Sequence, residues 1–212
     1  MIIKKSPSLL FMGHNFFDYM SNENTKYAYI PIPKNASSYL KIFFESGWGW
    51  TYDFNYYRTS NKKFIVCLRD PINRWLAGVV EYFFREHPYM VLEGETFLKF
   101  ICERVLFDEH TIPQVNFIDG LDDSNLIFIK FNDNIGSTID KFVTEHFNDS
   151  GWKTRKLTLS IDKNDSNKHI IKQTNLENLK TFLQENPKLI YNIKKFYKED
   201  YELVNSAKYY GI

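Results

Sequence analysis

The chain predicts an α/β fold in which a parallel sheet is covered by helices. Three observations carry this. Apolar runs of strand length recur at residues 27–32, 63–68 and 125–130. Each is followed by a polar turn, and then by a segment with apolar residues at helical spacing. Glycine is sparse, nine in 212 residues, which excludes a linker or a low-complexity repeat protein. Strand–loop–helix alternation of this kind places ligands at the C-terminal ends of the strands.

Taken in order, residues 1–26 show little regular pattern and read as an N-terminal arm. A strand over 27–32 leads to a helix over 37–46, with Tyr39, Leu40, Phe43 and Phe44 on its buried face. Gly47 is the expected C-terminal stop. Residues 48–61 are aromatic and polar and read as irregular. The strand at 63–68 leads to a helix with Pro71 in its first turn, where a missing N–H costs nothing. Trp75, Val79, Tyr82 and Phe83 should face the core of that element. A helix over 95–106 should set Phe97, Phe100, Ile101 and Val105 on one side. The strand at 125–130 precedes a helix over 133–147, with Ile135, Ile139, Phe142 and Val143 inside. Residues 148–174 are polar and read as a long loop, a feature that in compact domains is usually functional or disordered. Two helices, 176–184 and 188–204, close the chain.

The length suits one domain spanning 1–212, long enough for a substantial core. Basic and acidic residues balance at 27 against 26, which argues against a nucleic-acid protein working by bulk positive field. Two cysteines make no disulfide framework. Cys67 lies in an apolar strand and Cys102 in a helical pattern, so both read as buried free thiols. No segment reaches the about 18 to 20 apolar residues of a membrane helix. The apolar run at 8–12 is too short and broken for the core of a signal peptide. Neither a His/Cys cluster nor an acidic pair at metal-ligand spacing stands out.

Two turns concentrate the chemistry. The first is Pro33-Lys34-Asn35-Ala36-Ser37-Ser38, and the second is Arg69-Asp70-Pro71-Ile72-Asn73-Arg74. Each joins an apolar strand to a helix and carries a fixed cation. Backbone N–H groups and the positive end of a helix attract an anion, and a Lys or Arg completes the neutralisation. Two such turns suit a ligand with two separated anionic groups.

The pair resembles the sulfotransferases that use 3′-phosphoadenosine-5′-phosphosulfate (PAPS). In that family a Pro-Lys-x-(Gly/Ala)-(Ser/Thr)-(Ser/Thr) loop holds the 5′-phosphosulfate, and an Arg-Asp-Pro-x-x-Arg turn holds the 3′-phosphate. His110-Thr111-Ile112-Pro113-Gln114 looks like the His-x-x-Pro-Gln element of the carbohydrate branch. Residues 193–203 look like that branch's terminal helix bearing tyrosine and aspartate. The resemblance runs over about residues 27–204, with the four motifs in family order. It implies a P-loop-like parallel sheet flanked by helices, and transfer of a sulfuryl group from PAPS to a hydroxyl acceptor, a carbohydrate above all. Adenosine 3′,5′-bisphosphate would be the product. No nucleic-acid partner, membrane span or metal is implied. Eukaryotic carbohydrate sulfotransferases usually carry a Golgi anchor, and none is read in this sequence; either one was trimmed or the protein is a soluble cytoplasmic one of microbial or viral type, and the start at Met1 favours the second expectation.

The resemblance also implies roles. Lys34 would stabilise charge on the departing phosphate, which accelerates transfer because the charge grows in the transition state. Ser37 and Ser38 would donate hydroxyl hydrogen bonds, and the N–H groups of Asn35, Ala36, Ser37 and Ser38 would line the loop. Arg69 would hold the 3′-phosphate. The family's Ser eight residues later is Ala77 here, so that hydroxyl contact is missing. Arg74 reads as structural, pairing with Asp70 or a neighbouring loop. His110 is the candidate base for the acceptor hydroxyl, since imidazole titrates close to neutrality; Glu81 and His87 are rivals. Gln114 would position substrate or fix the loop. The stretch 162–169, with Asn164-Asp165-Ser166, stands where the family closes a loop over the nucleotide, although a solvated loop is the commoner case. The aromatics Trp48, Trp50, Tyr52, Phe54, Tyr56 and Tyr57 suit core packing better than sugar stacking. Two other readings stand beside this one. A P-loop kinase lacks support, because the Gly-x-x-x-x-Gly-Lys-(Ser/Thr) spacing is missing. A sulfotransferase-like binding protein with lost catalysis is kept open by Ala77.

Overall fold

The computed structural model describes residues 19–21, 25–53, 61–147 and 166–211. Five strands form one sheet: β1 (Tyr19–Ser21), β2 (Tyr27–Ile30), β3 (Thr51–Asp53), β4 (Lys63–Leu68) and β5 (Leu126–Lys130), in the order β3-β1-β2-β4-β5. Among the described residues the helices in chain order are α1 (Ser37–Trp48), α2 (Pro71–Glu86), α3 (Glu95–Arg104), α4 (Ile135–His146), α5 (Ser166–Glu185), α6 (Pro187–Phe196) and α7 (Lys198–Ser206). The chain divides into two compact units. The first comprises residues 1–68, 114–157 and 206–212, and the second 69–113 and 158–205.

The first unit holds the sheet. β2, β4 and β5 run parallel, with Ile30 opposite Val66 and Leu68 opposite Lys130. Alternate residues of these strands (Tyr27, Tyr29, Ile65, Cys67, Ile129) pack with Leu40, Phe43 and Phe44 of α1 and with Ile139, Phe142 and Val143 of α4. The intervening Ala28, Ile30, Phe64, Val66 and Leu68 are buried as well. Burial on both faces is why the central strands read as unbroken apolar runs.

The sheet is mixed, not wholly parallel. β1 pairs antiparallel with β2 and β3, so the expected N-terminal arm and the expected irregular stretch 48–61 each contain a strand. Helix α1 also runs past the expected stop at Gly47 and ends at Gly49, whose φ of 62° is the left-handed conformation glycine tolerates best. The Trp50 N–H reaches back to the Phe44 carbonyl, and the Trp50 ring stacks on Phe44 at 4.4 Å. That carbonyl bond and ring contact together close the helix end. At the far side of the sheet Tyr209 forms a parallel bridge to Phe128, and the Tyr210 N–H donates to the Phe128 carbonyl at 2.9 Å.

The second unit is helical, with its own core. Trp75, Val79 and Phe83 of α2 pack with Leu98 and Ile101 of α3, with Leu179 and Leu183 of α5, and with Ile193 of α6. On α3 the buried side includes Leu98 and Cys102, whereas Phe100, expected inside, is 52% exposed. α5 begins at Ser166, inside the stretch read as a loop; residues 148–165 lie outside the described ones. Its polar residues act as struts. Asn175 accepts from the Leu92 N–H at 2.7 Å and donates to the Met90 carbonyl, and Asn178 donates to the Leu92 carbonyl. The expected helix over 188–204 is two helices, parted at Tyr197. Cys67 and Cys102 are buried free thiols, as expected. No helix among the described residues is long and apolar enough to cross a membrane.

Candidate functional site

The turn after β2 is a strained, tightly wired structure within the first unit. Lys34 and Ala36 both have positive φ, 67° and 59°. A non-glycine residue in that region costs about 1–2 kcal/mol, so the surrounding structure must hold it there. Asn35, between them, is fully buried and does the holding. Its Nδ2 donates to the Cys67 carbonyl at 2.7 Å and to Gln114 Oε1 at 2.5 Å. Its Oδ1 is buried without a hydrogen-bond partner. Gln114, itself fully buried, opens a 3-10 helix at Gln114–Phe117. It therefore fixes the loop, one of the two roles considered for it. The Asn35 N–H closes onto the Ile32 carbonyl, so this residue's main contribution is its side chain.

Helix α1 then starts without help. Ala36 is its N-cap, makes no side-chain cap, and no acid stands in the first turn. The first N–H groups of a helix have no partner within it. Left-handed residues beside right-handed ones turn such groups toward one concave side, an anion-binding shape. Lys34 and Ser37 are half-buried, and Ser38 is exposed.

The second turn differs. Arg69 follows Leu68, the last residue of β4, and is half-buried. Asp70 caps α2, its Oδ1 accepting from the Asn73 N–H at 2.8 Å, and Pro71 takes the first helical position. A carboxylate thus already occupies the positive end of α2. An anion here would depend on the Arg69 guanidinium and not on the helix. Arg74 is buried and structural: Nη1 donates to the Ile112 carbonyl and Nη2 to the Glu109 carbonyl. Burial pulls its pKa down, while the buried Asp200 carboxylate opposes that.

The segment Val105–Pro113, also in the second unit, is anchored at nearly every residue. Trp75 Nε1 donates to the Val105 carbonyl at 2.7 Å. Thr111 Oγ1 accepts from the Phe107 and Asp108 N–H groups and donates to the Asp108 carbonyl. Tyr197, buried in the helix break, donates its hydroxyl to the Thr111 carbonyl. Gly78 of α2 permits the close approach, since a Cβ there would lie 2.4 Å from the His110 carbonyl oxygen. His110 is thereby held against α2, and its Nδ1 lies 2.8 Å from Asp108 Oδ2.

The rival bases are placed less favourably. Glu81 is ion-paired with Lys172 at 3.0 Å, and Lys172 also sits 3.9 Å above the Phe84 ring. His87 is exposed at the end of α2. Donor atoms of Asp108, Glu109 and His110 lie within 4.8 Å of one another, a grouping the sequence did not suggest. Existing pairs account for it: His110 with Asp108, and Glu109 Oε1 with Arg85 at 3.0 Å. Positions 162–165 of the expected lid loop, and Phe54, Tyr56 and Tyr57 of the aromatic group, fall outside the described residues. Trp50 is buried in the core of the first unit.

Sequence reasoning missed Asp108 and Gly78. A carboxylate two residues before a histidine, and a lone glycine inside a helical pattern, were the available signals. No family model matches the chain, and neither a curated protein nor a solved structure matches it.

Proposed function

We propose that the chain transfers a sulfuryl group from PAPS to a hydroxyl acceptor, with a carbohydrate as the favoured class. The Lys34 turn carries the reading. Two strained residues flank a buried asparagine strut and present a lysine at the uncapped start of α1. Val105, at the end of α3, also has a positive φ, 58°, but among the described residues only the β2 turn sets two such residues around a buried strut, and backbone strain of this kind clusters at functional sites. The motif order supports the same reading, as does the parallel pairing of β2 and β4, whose chain ends leave the same edge of the sheet.

In this proposal Lys34 and the first N–H groups of α1 bind the 5′-phosphosulfate, and Arg69 binds the 3′-phosphate. As the acceptor oxygen bonds to sulfur, the bond from sulfur to the phosphate oxygen breaks. Lys34 neutralises the charge that grows on that oxygen. His110 takes the acceptor's proton.

Thermal unfolding tests the reading. Adenosine 3′,5′-bisphosphate at 100 times its Kd should stabilise the protein by about 2.7 kcal/mol, and ATP with magnesium should not. The reverse pattern would identify a kinase, and no effect from either nucleotide would favour a glycan-binding protein. Transfer of labelled sulfate to a panel of sugars and small alcohols would then identify the acceptor.

A further inference from the structure

Asp108 grips His110 with both carboxylate oxygens. Oδ1 accepts from the His110 backbone N–H at 2.9 Å, and Oδ2 lies 2.8 Å from the ring Nδ1. The first bond fixes the carboxylate and the second fixes the ring. An ionised carboxylate only accepts hydrogen bonds, so the shared proton belongs to Nδ1. A neutral imidazole with its proton on Nδ1 carries its lone pair on Nε2. The backbone beneath is equally constrained, by Gly78 against the His110 carbonyl and by Arg74 on the carbonyls of Glu109 and Ile112. Both side chains are largely buried, His110 at 14% and Asp108 at 16% exposed, so water competes weakly for the pair.

We propose that Asp108 is a positioning residue that holds His110 in the Nδ1–H tautomer, with Nε2 as the proton acceptor. Its catalytic meaning rests on the sulfuryl-transfer reading; its structural content does not. When the acceptor oxygen attacks sulfur, its proton passes to Nε2, the sulfur–phosphate oxygen bond breaks, and the imidazolium left behind is stabilised by Asp108 until it loses the proton to water. The same carboxylate–imidazole logic operates in serine hydrolases, where neutralising the carboxylate leaves the geometry intact but the wrong tautomer in place. Other charged groups bear on this pair. Glu109 Oε1 lies 3.6 Å from Nδ1 but is shared with Arg85 of α2. Arg74 of α2, with Asp200 of α7 and Tyr197 beside it, underlies the same loop.

The experiment is ¹⁵N NMR of the histidine side chains in the full chain. Loss of one signal set in His110→Gln assigns His110 among the five histidines. Wild type should show one neutral tautomer protonated at Nδ1, and Asp108→Asn should lose or mix it while melting cooperatively. An Nε2-protonated or mixed His110 in wild type overturns the proposal, even if Asp108→Asn fails to fold. Where transfer is detected, Asp108→Asn should lower kcat by about 10²-fold or more. A wild-type kcat in Asp108→Asn overturns the positioning role. The predicted tautomer without transfer of sulfate from PAPS to any acceptor sustains the Asp108 assignment and sinks the sulfotransferase reading alone.

Discussion

At the scale of single residues, backbone strain and its restraint mark the turn after β2. Lys34 and Ala36 hold positive φ on either side of a buried asparagine that ties the turn to the end of β4. Replacing Ala36 with Gly should relieve the left-handed strain and raise stability by up to about 1 kcal/mol, net of glycine's entropy cost. A lower melting temperature in Ala36→Gly would mean that the turn is not held in that conformation in solution. Lys34→Ala leaves the backbone demand unchanged but removes the cation. Turnover should fall by about 10²-fold or more with little change in melting, the scale seen when one transition-state charge stabiliser is lost. Near-normal turnover in Lys34→Ala would take the residue out of the mechanism. The lysine and the serines stand out in the sequence because they fill a polar turn between an apolar strand and a helix. Asn35 was legible as a position but not as a strut, because its partners Cys67 and Gln114 are distant in sequence.

Among elements, contact between α2 and the loop 105–113 matters most. Gly78 has no room for a methyl group, and the atoms in the way are the backbone of His110. Backbone yields less readily than a flexible side chain. Gly78→Ala should therefore cost about 1–3 kcal/mol and displace the loop, lowering activity as well as stability. A crystal structure or His110 chemical shifts unchanged in Gly78→Ala would contradict that packing. The same scale shows what the sequence concealed. β4 was legible as an unbroken apolar run, and the helical faces around Trp75 and Phe142 because four residues in each recur at helical spacing. β1 and β3 are three residues each, too short for any period, and are specified by pairing with neighbours. The N-terminal half of α5 was read as loop because its Asn and Lys residues resemble loop composition. Farther along the helix, Asn175 and Asn178 use their amides to hold the segment 90–92. The break at Tyr197 was hidden because the apolar spacing continues through it, while the Tyr197 hydroxyl is drawn to the Thr111 carbonyl.

For the molecule as a whole, buried phenols and thiols set an alkaline limit. Burial pushes Tyr29 well above the ordinary tyrosine value and raises Tyr197. Burial, with Asp70 nearby, pushes Tyr201 up to about 12, and burial takes Cys102 to about 12. The folded state keeps these groups protonated at pH values where the unfolded chain has begun to release them. Above the ordinary values, about 8.5 for Cys and about 10 for Tyr, the unfolded state therefore binds fewer protons, and stability falls as pH rises. Melting temperature should hold up to about pH 8.5 and then decline steadily toward pH 12. Absorbance at the phenolate band should rise only on unfolding for the buried set. A flat melting profile across that range would show that these groups ionise without opening the fold. The bridge from Tyr209 to Phe128 has a different consequence, for colloidal behaviour. β5 is the last strand of the sheet, and an open outer strand is a template for pairing with another chain. By taking up the Phe128 carbonyl, Tyr210 and its neighbour shield part of that border. A chain shortened after Ser206 should keep its helices yet self-associate as concentration rises, visible as growth in scattered light, and a charged Lys substituted on the outer side of β5 should suppress it.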